Sequence, residues 1–179
     1  MTQAGSVYGQ ALYDLAKSEH LDSLLLQQLQ VLRESFAQEP DFLRLLSMPQ
    51  LTKQERCQIL DQSFREKVHP YVLNFMKILT EKGYIRQFPD CCETYRQLYN
   101  RDNGILSVTA VTAVALRDDQ IHRLKQKLAS ITGKTIELKN CVDPHCLGGV
   151  RLDYDGKQLD DTVSHRLENI RSLLNTTVL

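Results

Sequence analysis

The sequence has no excess charge of either sign. It contains 22 Lys and Arg residues and 22 Asp and Glu residues, so its formal net charge at pH 7 is zero. The balance also holds locally, because residues 1–104 carry 12 basic and 13 acidic side chains and residues 105–179 carry 10 and 9. Proteins that bind nucleic acid normally present a basic excess. The composition therefore predicts that nucleic acid is not a partner.

Long apolar runs are missing as well. The longest, such as VTAVAL at residues 111–116, fall far short of the roughly 20 residues needed to cross a bilayer. The N-terminus has neither the basic region nor the apolar core of a signal peptide. We therefore expect a soluble, cytosolic protein that does not insert into the membrane.

The cysteines follow no regular spacing, and their number, five, is odd. They are expected to be reduced thiols. Cys141, His145 and Cys146 offer three metal-ligating side chains within six residues, but no fourth ligand is evident nearby. The sequence therefore predicts no metal site and no cofactor.

No nucleophile is paired with a base along the chain. His165 with Asp160 and Asp161 could suggest an acid/base group, but a solvated helix start explains these residues better. Gly148-Gly149 could suggest a phosphate loop, but no Lys-Ser/Thr follows and the next element reads as a strand. A bulge or a close backbone approach is the expected role of the glycine pair. No catalytic residue is predicted.

Apolar residues recur at helical spacing through the first hundred residues, which predicts six amphipathic helices. Ser6 could cap the first, Thr52 and Glu55 form a capping-box pattern before the fourth, and Gly83 is a typical residue after the fifth. The segments are joined by short links, which is typical of a compact helical bundle over residues 1–104. The predicted helices cover 6–18, 21–37, 40–46, 52–64, 69–83 and 89–102.

After Gly104 the sequence becomes β-branched and nearly free of charge, which predicts a strand and a domain boundary. Asp118 or Asp119 could cap a helix that Gly133 ends, and a second strand follows over residues 136–142. Asp155-Gly156 predicts a tight hairpin in which Leu152 faces Leu159 and Arg151 faces Asp160. Thr162 could cap a last helix with an apolar stripe at Val163, Leu167, Ile170 and Leu174. The predicted fold is mainly α, with a six-helix bundle followed by a small α+β domain over residues 105–179.

These residues resemble a known family, the δ subunits of bacterial F-type ATP synthases, equivalent to the mitochondrial oligomycin-sensitivity-conferring protein. Residues 8–16, YGQALYDLA, are similar to the family's Tyr-Ala-x-Ala-Leu-Phe-x-Leu-Ala, and Leu98-Tyr99-Asn100 followed by Gly104-Ile105 is similar to its domain junction. The C-terminal signature is the most specific part, because unlike residues fall at fixed distances. Three residues depart from the signature. Cys146 replaces an aliphatic residue, Asp161 stands where glycine is common, and His165 stands where a small residue is common. The signature is carried by Ile136, Leu138, Val142, Asp143, Pro144, Gly148, Gly149, Val150, Asp160, Arg166 and Leu167.

The resemblance implies a non-catalytic stator subunit on the cytoplasmic side of the membrane. Its N-terminal bundle would hold the N-terminal helix of an α subunit of the catalytic head, and its C-terminal domain would hold the b subunits of the peripheral stalk. The α-subunit helix would lie between the first and fifth helices. The alternatives from the residues alone are an unrelated helical scaffold or regulatory adaptor and, less well supported, an enzyme. The residues expected at the α-subunit groove are Tyr8, Ala11, Leu12, Leu15, Phe75, Met76 and Leu79, and those expected at the stalk are Leu167, Ile170 and Leu174.

Overall fold

The computed structural model describes residues 2–154 and 156–162. The chain divides into two compact units, residues 1–99 and 100–179. The first unit is helical, and a small mixed sheet lies in the second, so the expected mainly α fold is confirmed at this level. The helices and strands are α1 (Gln3–Ser18), α2 (Asp22–Gln38), α3 (Pro40–Leu45), α4 (Lys53–Phe64), α5 (Pro70–Glu81), α6 (Phe88–Asp102), β1 (Ile105–Thr112), α7 (Asp118–Thr132), β2 (Thr135–Val142), β3 (Val150–Tyr154) and β4 (Lys157–Asp160).

The first helix begins earlier than its apolar pattern predicts. α1 starts at Gln3, and Thr2 is its N-cap, with the Thr2 hydroxyl accepting a hydrogen bond from the Gly5 amide at 3.2 Å. Ser6 therefore lies inside the helix, and its prediction as a cap is wrong. The Thr2 hydroxyl also donates to Asp90 Oδ2 at 3.0 Å, so a partner distant in sequence fixes this helix start.

Two other predicted helix ends are confirmed, and one is corrected. The capping box of α4 is present, with the Thr52 amide donating to Glu55 Oε2 at 2.7 Å, and Gly83 follows α5 with φ +78°. α7 begins at Asp118, and its N-cap is Arg117. Asp118 and Asp119 thus occupy the first turn, and neither is the cap. Their negative charges interact favourably with the positive end of the helix dipole.

The core of the first unit contains the apolar faces of its helices. Phe36 lies at the centre of an aromatic cluster, with its ring centroid 5.6 Å from Phe42, 6.0 Å from Phe64 and 5.2 Å from Phe88. Tyr95 is fully buried, and its hydroxyl donates to the Asp22 carbonyl oxygen at 2.9 Å, which satisfies the buried polar group. Burial raises the pKa of Tyr95 far above its ordinary value, so this hydroxyl remains a donor.

The sheet of the second unit has the order β2-β1-β3-β4. β1 is parallel to β2 and antiparallel to β3, and β3 is antiparallel to β4. Alternate residues of β1, Leu106, Val108 and Ala110, are buried, and Leu124 and Leu128 of α7 pack against the same cluster. The period of two along β1 therefore places one sheet face against α7.

The predicted hairpin register is confirmed. Leu152 pairs with Leu159, and Arg151 pairs with Asp160. Leu152 is buried, whereas Leu159 is 56% exposed, so the apolar pair has only one core member. Arg151 Nε lies 3.4 Å from Asp153 Oδ1 on its own strand, and Asp160 Oδ1 accepts a hydrogen bond from the Thr162 amide at 2.9 Å. Arg151 and Asp160 are therefore opposite each other in the backbone register. Each of the two side chains also interacts with a residue close to it in sequence.

No helix within the described residues combines the length and apolar content needed to cross a membrane.

Candidate functional site

One face of α1 carries a row of accessible apolar side chains. Val7, Ala11 and Leu15 lie four residues apart and share a helix face, and all three are exposed, Val7 at 61% and Leu15 at 41%. Tyr8 borders the row and is half-buried, with its ring centroid 5.9 Å from that of Tyr84, which follows α5. We call Val7, Tyr8, Ala11 and Leu15 the α1 stripe. A contiguous exposed apolar row of this kind is typical of an interaction surface.

The opposite face of α1 lies unusually close to α6. A Cβ atom on Gly5 would lie 2.6 Å from the Asp90 Cβ, and one on Gly9 would lie 2.6 Å from the Cys91 carbonyl oxygen. Sequence reasoning missed this contact, although two glycines four residues apart in a helix are a signal for it. The close packing holds α1 in one orientation and leaves the α1 stripe facing solvent.

The N-terminal end of α1 is attached to α6 by hydrogen bonds. The Thr2 amide donates to Asp90 Oδ2 at 2.9 Å, and the single proton of the Thr2 hydroxyl is shared between Asp90 Oδ2 and Gln87 Oε1, which lies 2.9 Å away. The Thr2 amide and then its hydroxyl lower the pKa of Asp90, so the carboxylate remains charged and accepting at neutral pH. Both the middle and the start of the helix are thereby fixed.

The predicted α-subunit residues divide into two groups. Tyr8, Ala11 and Leu15 are accessible. The other four belong to the core of the first unit, with Met76 and Leu79 fully buried and Leu12 and Phe75 5% exposed. These four side chains therefore offer a partner almost no accessible surface. Val7 of α1, Ile78 of α5 and Tyr84 after α5 are accessible apolar residues that sequence reasoning did not choose.

The signature glycine of the second unit lies against backbone. Gly149 has φ +80°, and a Cβ there would collide with the Asp161 carbonyl oxygen and lie 3.0 Å from the Thr162 Cα. The predicted close backbone approach at Gly148-Gly149 is therefore confirmed at Gly149. Only glycine satisfies both its backbone angle and its lack of space.

Other signature residues build the turn before β3. Asp143 donates its amide to the Thr112 carbonyl oxygen at 2.8 Å and accepts a hydrogen bond from the His145 amide through Oδ1 at 3.0 Å. Cys146 is 5% exposed, so it fills an aliphatic position as a small apolar side chain. Arg166, His165 and the last predicted helix, with Val163, Leu167, Ile170 and Leu174, lie outside the described residues.

Polar clusters with metal-binding geometry are absent from residues 2–154 and 156–162, where no group of three or more His, Cys, Asp and Glu side chains converges. Cys141 is exposed on β2, whereas Cys146 is buried in the following turn. The carboxylates with the clearest contacts cap helices or join them. Glu93 of α6 is an example, 2.8 Å from both Arg33 of α2 and Arg96.

The sequence matches a family model described as the ATP synthase delta (OSCP) subunit over residues 5–174. A similar relative is the ATP synthase subunit delta of Alkaliphilus oremlandii, 32% identical over 168 residues that cover 94% of this chain and 93% of the relative. Another is the ATP synthase subunit delta of Lactobacillus delbrueckii subsp. bulgaricus, 34% identical over 171 residues that cover 93% of each chain.

The fold has a counterpart among solved structures. A chain of the Toxoplasma gondii mitochondrial ATP synthase hexamer, determined by cryo-electron microscopy, matches with a TM-score of 0.79 at 20% identity, and the match covers 97% of this chain and 98% of that one. The family match and the two relatives each cover nearly the whole chain. The chain therefore belongs to the ATP synthase delta (OSCP) subunit family.

Proposed function

We propose that this chain is the stator adaptor of a rotary ATP synthase, a non-catalytic subunit that ties the catalytic head to the peripheral stalk. Family membership supports the assignment. The chemistry of the described surface supports it as well, because the α1 stripe is an exposed apolar row, as a docking surface would be. Torque on the head must be resisted at both ends of such an adaptor, which requires rigid elements between two contacts.

The α1 stripe is the proposed docking surface for the N-terminal helix of an α subunit. An amphipathic helix laid along α1 would present apolar residues at the same three-to-four spacing and cover Val7, Ala11 and Leu15. Complete burial of one such aliphatic side chain contributes about 1.5–3 kcal/mol before ordering costs. The exposed stripe, held in place by the close α1–α6 packing, is the single observation that carries this proposal.

The other predicted groove residues have a supporting role in this proposal. Leu12, Phe75, Met76 and Leu79 lie inside the core, where they hold α1 and α5 in place. Tyr84 and Ile78 extend the accessible apolar surface toward α5. The six helices α1–α6 act together as one bundle that presents this surface.

The stalk contact is assigned to the second unit. The residues expected there, Leu167, Ile170 and Leu174, lie outside the described part of the chain, so family membership alone supports this half of the proposal. The adaptor would bind b subunits there and act as a peripheral component at the cytoplasmic side of the membrane.

The test is calorimetric titration of the full chain with a peptide from the N-terminus of the α subunit of the same organism. Val7→Asp and Leu15→Asp should each weaken binding at least about tenfold, because a carboxylate in an apolar contact loses its hydration without gaining a partner. Val31→Asp is the matched control, since Val31 of α2 is 63% exposed and Val7 is 61% exposed. Unchanged affinity in both α1 variants, or no binding by the native chain, would refute the assignment.

A further inference from the structure

A cleft between α4 and α5 is distinct from the α1 stripe. It has a volume of about 450 Å³ and contains no residue of α1. Its α5 side is formed by residues three to four apart, so a single face of that helix lines it. The lining residues are Asp61, Arg65, Pro70, Leu73, Asn74 and Lys77.

The charges of the cleft are only partly compensated. Lys77 Nζ lies 2.6 Å from Asp61 Oδ1, and the two side chains are 27% and 37% exposed. Arg65, at the C-terminal end of α4, is exposed, and no carboxylate of the described residues lies within ion-pair distance of its guanidinium. The lining therefore carries two cations and one anion. Glu81, one turn beyond Lys77, lies outside the lining and is 3.8 Å from Cys57 Sγ.

We propose that this cleft binds the carboxylate of a glutamate side chain presented by another polypeptide. One carboxylate neutralises the uncompensated charge, and a guanidinium holds it with two parallel N–H···O bonds. Pro70, exposed at the start of α5, supplies apolar surface for the methylene groups of the side chain. The Asn74 carboxamide both donates and accepts, which suits the peptide group of a chain better than a free acid.

Phosphate fits the cleft less well. It carries about −1.5 to −2 charges at neutral pH, so it would overcompensate the lining and face the Asp61 carboxylate. Its surface also has no apolar part to cover Pro70, which is exposed. The inference depends on the cleft alone and stands apart from the adaptor role.

The experiment is an NMR titration of the full chain with N-acetylglutamate N-methylamide, following the backbone amides of Arg65, Leu73, Asn74 and Lys77. We expect saturable shifts confined to the cleft. The neutral glutamine analogue should produce none, and butyrate and inorganic phosphate should bind more weakly. Equal binding of the glutamine analogue or butyrate, or tighter binding of phosphate, would overturn the assignment.

Two substitutions should act in opposite directions. Arg65→Gln should weaken binding of the glutamate probe about tenfold, while Asp61→Asn should tighten it by releasing Lys77 and removing a like charge. Arg44→Gln controls for lost charge, because Arg44 of α3 is exposed and already paired with Asp41 at 3.0 Å. Unchanged binding in Arg65→Gln, or weaker binding in Asp61→Asn with an otherwise unchanged spectrum, would contradict the proposal.

Discussion

At the scale of single residues, Gly149 and Gly133 illustrate two reasons why a position requires glycine, namely a positive φ angle and a lack of space for a side chain. Both have positive φ, +80° and +66°, but only Gly149 faces backbone atoms within contact distance. Gly133→Ala should therefore cost roughly 1 kcal/mol, the strain of a left-handed alanine. Gly149→Ala adds a collision with the Asp161 carbonyl and should cost roughly 3 kcal/mol in all.

Chemical denaturation of the two variants gives this difference directly, because both lie in the second unit. The collision predicts an excess of about 2 kcal/mol for Gly149→Ala. Equal losses would show that the backbone at Asp161 moves aside at little cost.

At the scale of elements, hydrophobic periodicity predicts which segments are helices but not which apolar residues remain accessible. Leu12 and Leu15 belong to the same apolar pattern of α1, yet one is buried and the other is 41% exposed. Leu12 packs into the core of the first unit, and the close approach of α6 at two glycines fixes the orientation of α1. The sequence therefore predicts that α1 carries apolar residues at helical spacing, but it does not predict which of them face solvent.

Local signals succeed where the partner is close in sequence. The Thr52–Glu55 capping box and the hairpin register are confirmed, because a few neighbouring residues define each of them. The start of α1 is missed because Thr2 is held by Asp90, 88 residues away. Long-range contacts are not encoded in the local pattern.

The ion pair between Arg33 of α2 and Glu93 of α6 predicts how the stability of the protein changes in acid. Burial raises the pKa of Glu93, but hydrogen bonds and charge from Arg96 and Arg33 outweigh that effect and lower it overall. A carboxyl whose folded pKa is lowered stabilises the fold fully above its unfolded value, roughly 4.3, and loses that contribution as pH falls through the folded value. Glu93→Gln should thus cost roughly 1 kcal/mol at pH 7 and little near pH 3.

Urea unfolding at several pH values measures this dependence. Glu34→Gln controls for the removal of a carboxylate, because Glu34 is exposed on α2. A pH-independent cost for Glu93→Gln would show that Glu93 contributes through packing rather than charge.

At the scale of the whole molecule, each compact unit has its own core and its own buried thiols. Cys91 and Cys92 lie in the core of the first unit, and Cys146 is buried in the second. Burial raises the pKa of Cys91 to about 11 and that of Cys92 further, so neither forms the reactive thiolate at neutral pH while folded. Cys141 is exposed and should label first.

These thiols can test whether the two cores unfold separately. Leu79→Ala removes a fully buried side chain from the first core, and Leu106→Ala removes one that is 6% exposed from the second. Each should cost about 2–5 kcal/mol in its own unit. In pulse alkylation across a urea series, Leu79→Ala should lower the midpoint for Cys91 and Cys92 and leave that of Cys146 unchanged, while Leu106→Ala should do the reverse. If all three thiols shift together in both variants, the two cores unfold as one cooperative unit, because destabilising either core then lowers the stability of the other.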